Sequence, residues 1–121
     1  MEEPKKRPFV AHGITTEIPL SCGNFYFTIN DFGDGPMEVF CHKGRSGSCA
    51  GCLLEGLGRM TSLALRSGIP VEKVAKQLTN MRCSEVTFTE AGTFFSCADA
   101  IGKLLKEYKK KEVEKNDKVM V

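Results

Sequence analysis

The chain has 121 residues, 41% of them hydrophobic, and a net charge of +2, enough for one core of ordinary size and no more. No run is apolar enough for a signal peptide or a membrane span, so a cytoplasmic protein is expected. The basic excess lies near the ends, at Lys5, Lys6 and Arg7 and at Lys109, Lys110 and Lys111 with Glu112 and Glu114 interleaved, and Trp is absent; that pattern describes solvated tails and disfavours a nucleic-acid partner.

This divides the chain into a flexible N-terminal arm over 1–12, one domain over 13–110 and a flexible charged tail over 111–121. Ile14 to Ile18 is β-rich between Gly13 and Pro19 and predicts a short strand. Asn24 to Asp31 alternates around Phe25, Phe27 and Ile29. Turn chemistry follows at Gly33-Asp34-Gly35-Pro36, and Met37 to His42 alternates around Met37, Val39 and Cys41, so a β-hairpin is expected. Ser48 is a good N-cap for a helix reaching about Ser67, with Leu53, Leu54, Leu57, Met60, Thr61, Ala64 and Leu65 as its apolar stripe. Within it Gly56 and Gly58 weaken the helix and imply close packing of another element. A second helix covers Val71 to Leu78, and Met81 to Thr89 is an edge strand or an extended connector. Ser96 with Asp99 three residues on starts a last helix, whose stripe is Ile101, Leu104, Leu105 and Tyr108. Strands first and helices afterwards give an α+β fold, a small antiparallel sheet with about three helices packed on one face.

Six cysteines exceed the needs of an ordinary cytosolic domain, and without secretion a disulfide framework is disfavoured. Cys49 and Cys97 each follow a serine and open a predicted helix, where backbone N–H groups and the helix dipole stabilise a thiolate. Cys22 stands before the hairpin and Cys83 after the second helix, at junctions from which a side chain can reach helix ends. Cys22, Cys49, Cys83 and Cys97 are therefore the candidate ligands of one zinc ion or iron-sulfur cluster, the ion itself left undetermined. Cys52 forms a C-x-x-C pair with Cys49 and is a further ligand or redox candidate. Cys41 continues the inward alternation of its strand and fits a buried hydrophobe, with a ligand role as its alternative; His42, beside it, is an additional ligand candidate. No phosphate loop, dinucleotide fingerprint, serine-hydrolase elbow or zinc-protease motif occurs.

Glu38-Val-Phe, Gly47-Ser48-Cys49-Ala-Gly51, Gly58-Arg-Met-Thr-Ser-Leu-Ala-Leu-Arg-Ser-Gly68-Ile-Pro, Gln77-Leu78, Cys83 and Phe95-Ser-Cys97-Ala-Asp99-Ala100-Ile101 together resemble a TSCPD domain. That domain ends adenosylcobalamin-dependent ribonucleotide reductases and also occurs as short stand-alone proteins, some with four characteristic cysteines. The chain departs from the name-giving motif at Phe95 and Ala98, where the family has Thr and Pro. The resemblance implies a metal-binding accessory module, with a ribonucleotide reductase or another redox protein as partner and no catalysis of its own. A fainter likeness of layout connects Cys22, Cys49 and Cys97 with U-type iron-sulfur scaffold proteins. The competing expectation is a thiol-redox protein or iron-sulfur carrier using Cys49, Cys52 and Cys97.

Overall fold

The computed structural model describes residues 3–20, 23–33, 35–43, 49–90 and 92–119, and within these it leaves out the side chains of Lys43, Cys49 and residues 109–119. The elements are β1 (His12–Leu20), β2 (Gly23–Asp31), β3 (Pro36–Lys43), α1 (Cys49–Arg66), α2 (Val71–Leu78), β4 (Thr87–Thr89), β5 (Gly92–Phe94) and α3 (Cys97–Val119). The fold is α+β: β1, β2 and β3 form an antiparallel sheet in that order, and β4 and β5 form a separate two-stranded one. The charged residues set apart as a tail continue α3 to Val119.

Register places Ile14, Ile29 and Val39 in one row and Thr16, Phe27 and Cys41 in the next. Because side chains alternate across a strand, both rows lie on one face. Ile18, Leu20, Phe25, Phe27, Ile29, Val39 and Cys41 are buried there with Leu54 and Leu65 of α1 and Ile101, Leu104 and Leu105 of α3. The expected stripe of α1 is thus split. Leu54, Thr61 and Leu65 are buried and Leu57 and Ala64 pack partly against the core, whereas Leu53 and Met60 face outward.

Gly58 and Gly102 permit two close approaches. A Cβ on Gly58 would stand 3.1 Å from the Val39 carbonyl oxygen and 3.5 Å from Cys41 Sγ, so the glycine lets α1 lie directly on β3. A Cβ on Gly102 would come within 2.9 Å of the Thr79 nitrogen and 3.0 Å of the Ala75 oxygen, which sets the distance between α3 and α2. Ser62, one turn beyond Gly58, accepts the Val39 N–H at 2.9 Å and donates to the Gly58 carbonyl at 2.8 Å.

The opposite face of the sheet carries Tyr26, Phe40 and His42, all exposed. Among the described residues its one buried charge is Glu38, which accepts from Arg7 Nε at 2.9 Å and from Asn30 Nδ2 at 2.9 Å. Arg7 gets there because Lys5 and Arg66 are tied together: the Lys5 N–H donates to the Arg66 carbonyl at 2.9 Å, and Arg66 Nε donates to the Lys5 carbonyl at 2.7 Å. The N-terminal segment therefore runs from the end of α1 to the outer face of β3.

Candidate functional site

Two ends of the fold determine where the cysteines fall. Leu20 pairs with Gly23 and Phe25 with Lys43, so β1, β2 and β3 all have one terminus at the same end of the sheet. The chain between Leu20 and Gly23 contains Cys22, which lies outside the described residues. From that same end the chain passes from β3 to Cys49, the first residue of α1; its backbone is described and its side chain is not.

The second end is the start of α3, built by three hydrogen bonds between the segment after α2 and the residues around Ser96. Asn80 adopts a left-handed backbone, φ 68°, which asparagine tolerates better than most residues, and donates its N–H to Asp99 Oδ1 at 2.6 Å. Ser96 Oγ donates to the Met81 carbonyl at 2.7 Å and accepts the Asp99 N–H at 3.0 Å, which makes it the N-cap expected from the sequence. The Cys83 N–H donates to the Phe95 carbonyl at 2.9 Å. Cys83 is thereby fastened beside the residue two places before Cys97.

Asp99 is fully buried. Burial alone would push its carboxyl up, but the Lys103 ammonium at 2.7 Å and the N–H groups of Phe95 and Asn80 outweigh that and hold it below the ordinary range. Lys103 also donates to the Thr93 carbonyl at 2.8 Å and lies over the Phe95 ring, 4.5 Å from its centre, while the Arg82 guanidinium lies 4.4 Å from the same centre. The start of α3 is thus braced from α2, the connector and β5 together.

Cys97 opens α3 and is half-buried. On the sheet side its neighbour is Cys41, whose thiol is pushed up to about 12, first by burial and then by the charge Cys97 would carry. Cys41 therefore stays protonated at neutral pH. Cys83 is exposed and its Sγ donates to the Glu85 carbonyl at 3.2 Å, and Cys52 is exposed on α1, one turn after Cys49. No disulfide joins Cys41, Cys52, Cys83 and Cys97. His42 follows Cys41 in β3 and so belongs to the other, exposed face of the sheet. Among the described residues no three His, Cys, Asp or Glu side chains gather closely enough to hold a metal ion. Of the four candidate ligands, Cys83 is tied through its backbone to Phe95, two residues before Cys97, and its thiol is turned to the Glu85 carbonyl. The electrostatic coupling of Cys97 with Cys41 and the bracing by Asp99 and Lys103 are not readable from sequence; the Ser96-to-Asp99 spacing is the one signal pointing to that brace.

The TSCPD domain profile matches residues 2–109. The chain belongs to the TSCPD domain family. This TSCPD chain is 32% identical over 88 residues to the vitamin B12-dependent ribonucleotide reductase of Streptantibioticus cattleyicolor, a match covering 72% of the chain and 14% of that protein. It is likewise 32% identical over 88 residues to the proteins of the same name from Streptomyces clavuligerus and Streptomyces coelicolor, covering 72% of the chain and 9% of each. It thus spans about a tenth of the length of these relatives. No solved structure matches it. Among the described residues no helix is long and apolar enough to cross a membrane.

Proposed function

We propose that this TSCPD chain is a metal-binding accessory module of the kind that ends vitamin B12-dependent ribonucleotide reductases, holding zinc or an iron-sulfur cluster through Cys22, Cys49, Cys83 and Cys97. The supporting observation is the Cys83 N–H to Phe95 carbonyl bond, which ties the backbone of one candidate ligand to the residue two places before another, Cys97. The donor set fits: thiolates suit zinc and iron-sulfur clusters, and a helix N-terminus favours the thiolate form. The chain segments that lead to Cys22 and Cys49 leave from one end of the sheet, and Cys41 of that sheet feels the charge Cys97 would carry. Reduction of ribonucleotides is not assigned to this chain alone; its partner would be such a reductase or another redox protein, in the cytoplasm.

The test is elemental analysis with an absorption spectrum on protein purified without oxygen, parent against Cys97→Ser. About one zinc or one cluster per chain, lost in the variant, is expected. Metal absent from both, with all thiols titratable, would overturn the reading. A second reading, a thiol-redox or iron-sulfur carrier protein using Cys49, Cys52 and Cys97, is favoured by the exposure of Cys52 one turn from Cys49. It requires thiols that oxidise reversibly in metal-free protein.

A further inference from the structure

The face of the sheet turned away from the helices carries rings at neighbouring positions. Register sets Tyr26 of β2 opposite His42 of β3, and Thr28 opposite Phe40. Because side chains alternate along a strand, Tyr26, Phe40 and His42 stand on the same side. Tyr26 is 37% and Phe40 43% exposed. Thr28 and Thr15, bonded through their hydroxyls at 2.8 Å, continue the row of Phe40 with short side chains. Rings grouped on an open face offer a surface on which other flat groups stack.

A cation is fixed at the border of this face. Glu38 is buried on it two residues before Phe40, and both of its bonds from Arg7 come from Nε, at 2.9 and 3.2 Å. The two Nη groups of Arg7 have no hydrogen-bond partner among the described residues. Lys6, next to it, is exposed. The sequence disfavours a nucleic-acid partner because its basic residues lie near the chain ends. The fold returns one of those ends to the sheet, through the Lys5 and Arg66 backbone clasp and the Glu38 bonds.

We propose that this face binds single-stranded nucleic acid, with bases stacked on Tyr26 and Phe40 and a backbone phosphate on the Nη groups of Arg7. Aromatic side chains hold bases of any sequence by their π-faces. A guanidinium whose Nε is already held by a carboxylate presents its terminal nitrogens to phosphate oxygens in a set direction. Tyr26 and Phe40 are diagonal neighbours across two strands, about 7–8 Å apart, within reach of consecutive bases of an unstacked strand. An open sheet suits a strand better than a free nucleotide, which needs a concave site to bury it. A duplex keeps its bases stacked on each other and so cannot use the rings. Among the described residues the acidic side chain beside the rings is Glu17. It accepts from the Tyr26 hydroxyl on the β1 side, at the border opposite Arg7, and so steadies that ring.

The experiment is fluorescence anisotropy of a fluorescein-labelled oligo-dT about 12 nucleotides long, titrated with the full chain. At about 50 mM salt the parent should bind with a Kd of about 1–100 µM, the usual range for contacts made without regard to sequence. Phosphates neutralised by Arg7 and Lys6 should make binding about sevenfold weaker at about 200 mM salt. Arg7→Ala should reduce that salt response to about threefold. Phe40→Ala and Tyr26→Ala should each weaken binding about fivefold or more, while Tyr26→Phe, which keeps the ring, leaves it unchanged. All these side chains face solvent, so the variants should keep the parent's circular dichroism. A parent that raises no anisotropy would overturn the proposal. Binding that survives both alanine variants at the rings unchanged would also overturn it, since charge at Lys109, Lys110 and Lys111 would then account for it. Thymidine monophosphate competing as strongly as unlabelled strand would overturn it too, in favour of a nucleotide site.

Discussion

Asp99 accepts the Asn80 N–H at 2.6 Å across 19 residues of sequence. This bond joins the end of α2 to the first turn of α3, and Lys103, one turn further along α3, pairs with the same carboxylate. Asp99→Asn removes the charge opposite Lys103 and puts an amide NH₂ where only acceptors fit, so about 3 kcal/mol of stability should be lost. Urea unfolding followed by circular dichroism measures it; a loss under about 0.5 kcal/mol, the range of an ordinary surface substitution, would contradict this role.

The same carboxylate dictates the response to acid. Its folded-state pKa lies below the unfolded value, so its stabilisation is fully present above the unfolded pKa of about 3.9 and disappears as pH falls through the folded one. Stability of the parent should therefore decline on acidification below about pH 4. In Asp99→Asn that decline should be shallower, while between pH 6 and pH 8 the curves of parent and variant run parallel. Urea midpoints measured across the range test this.

Gly102→Ala would place a methyl carbon 2.9 Å from the Thr79 nitrogen and 3.0 Å from the Ala75 oxygen, backbone atoms of α2 and its C-terminal cap. Alanine is the better helix former, so propensity alone predicts a gain of about 1 kcal/mol. Overpacking should win, with a net loss of about 1–3 kcal/mol, visible as a lower melting temperature.

Thiol reactivity should separate the cysteines. In metal-free native protein, Cys52 and Cys83 are exposed and should alkylate with iodoacetamide quickly. Cys41, buried and pushed up to about 12, should react only as fast as the protein opens. Peptide mass spectrometry over time reads the order, and prompt labelling of Cys41 would contradict its placement beneath α1.

Arg7 holds the buried Glu38 from solvent-facing terrain, being half-exposed itself. Arg7→Ala leaves Glu38 with Asn30 and should cost about 1 kcal/mol, discounted from the value for a fully buried pair because solvent reaches the guanidinium side. Arg7→Lys should recover only part of this, since it was the Nε donor that met the carboxylate.

Local chemistry made much of this fold legible in advance. Phe25, Phe27, Ile29 and Val39 alternate and are buried as expected, α2 has the foreseen bounds at Val71 and Leu78, and Ser96 caps α3. The hairpin of β4 and β5 was not legible beyond a loosely expected strand near Thr89, because its strands have three residues each and Phe88 faces solvent, leaving no buried alternation to detect. Periodicity also could not divide the broad apolar surface of α1 into its core and exposed sides, since Leu53 and Leu54 are equally hydrophobic. Of the candidate site, the helix-opening position of Cys97 could be read directly. Its electrostatic coupling to Cys41, 56 residues away, arises only when α3 is laid on the sheet.

Ser62 bears on how this protein avoids aggregation. β3 is a border strand, and Ser62 occupies the Val39 N–H that would otherwise face outward. An incoming strand from another molecule meets an amide already engaged, with Arg7 and the first residues of the chain crossing nearby. Strand addition at this border must first displace the Ser62 hydroxyl from Val39, so a single side chain of α1 opposes growth of the sheet there.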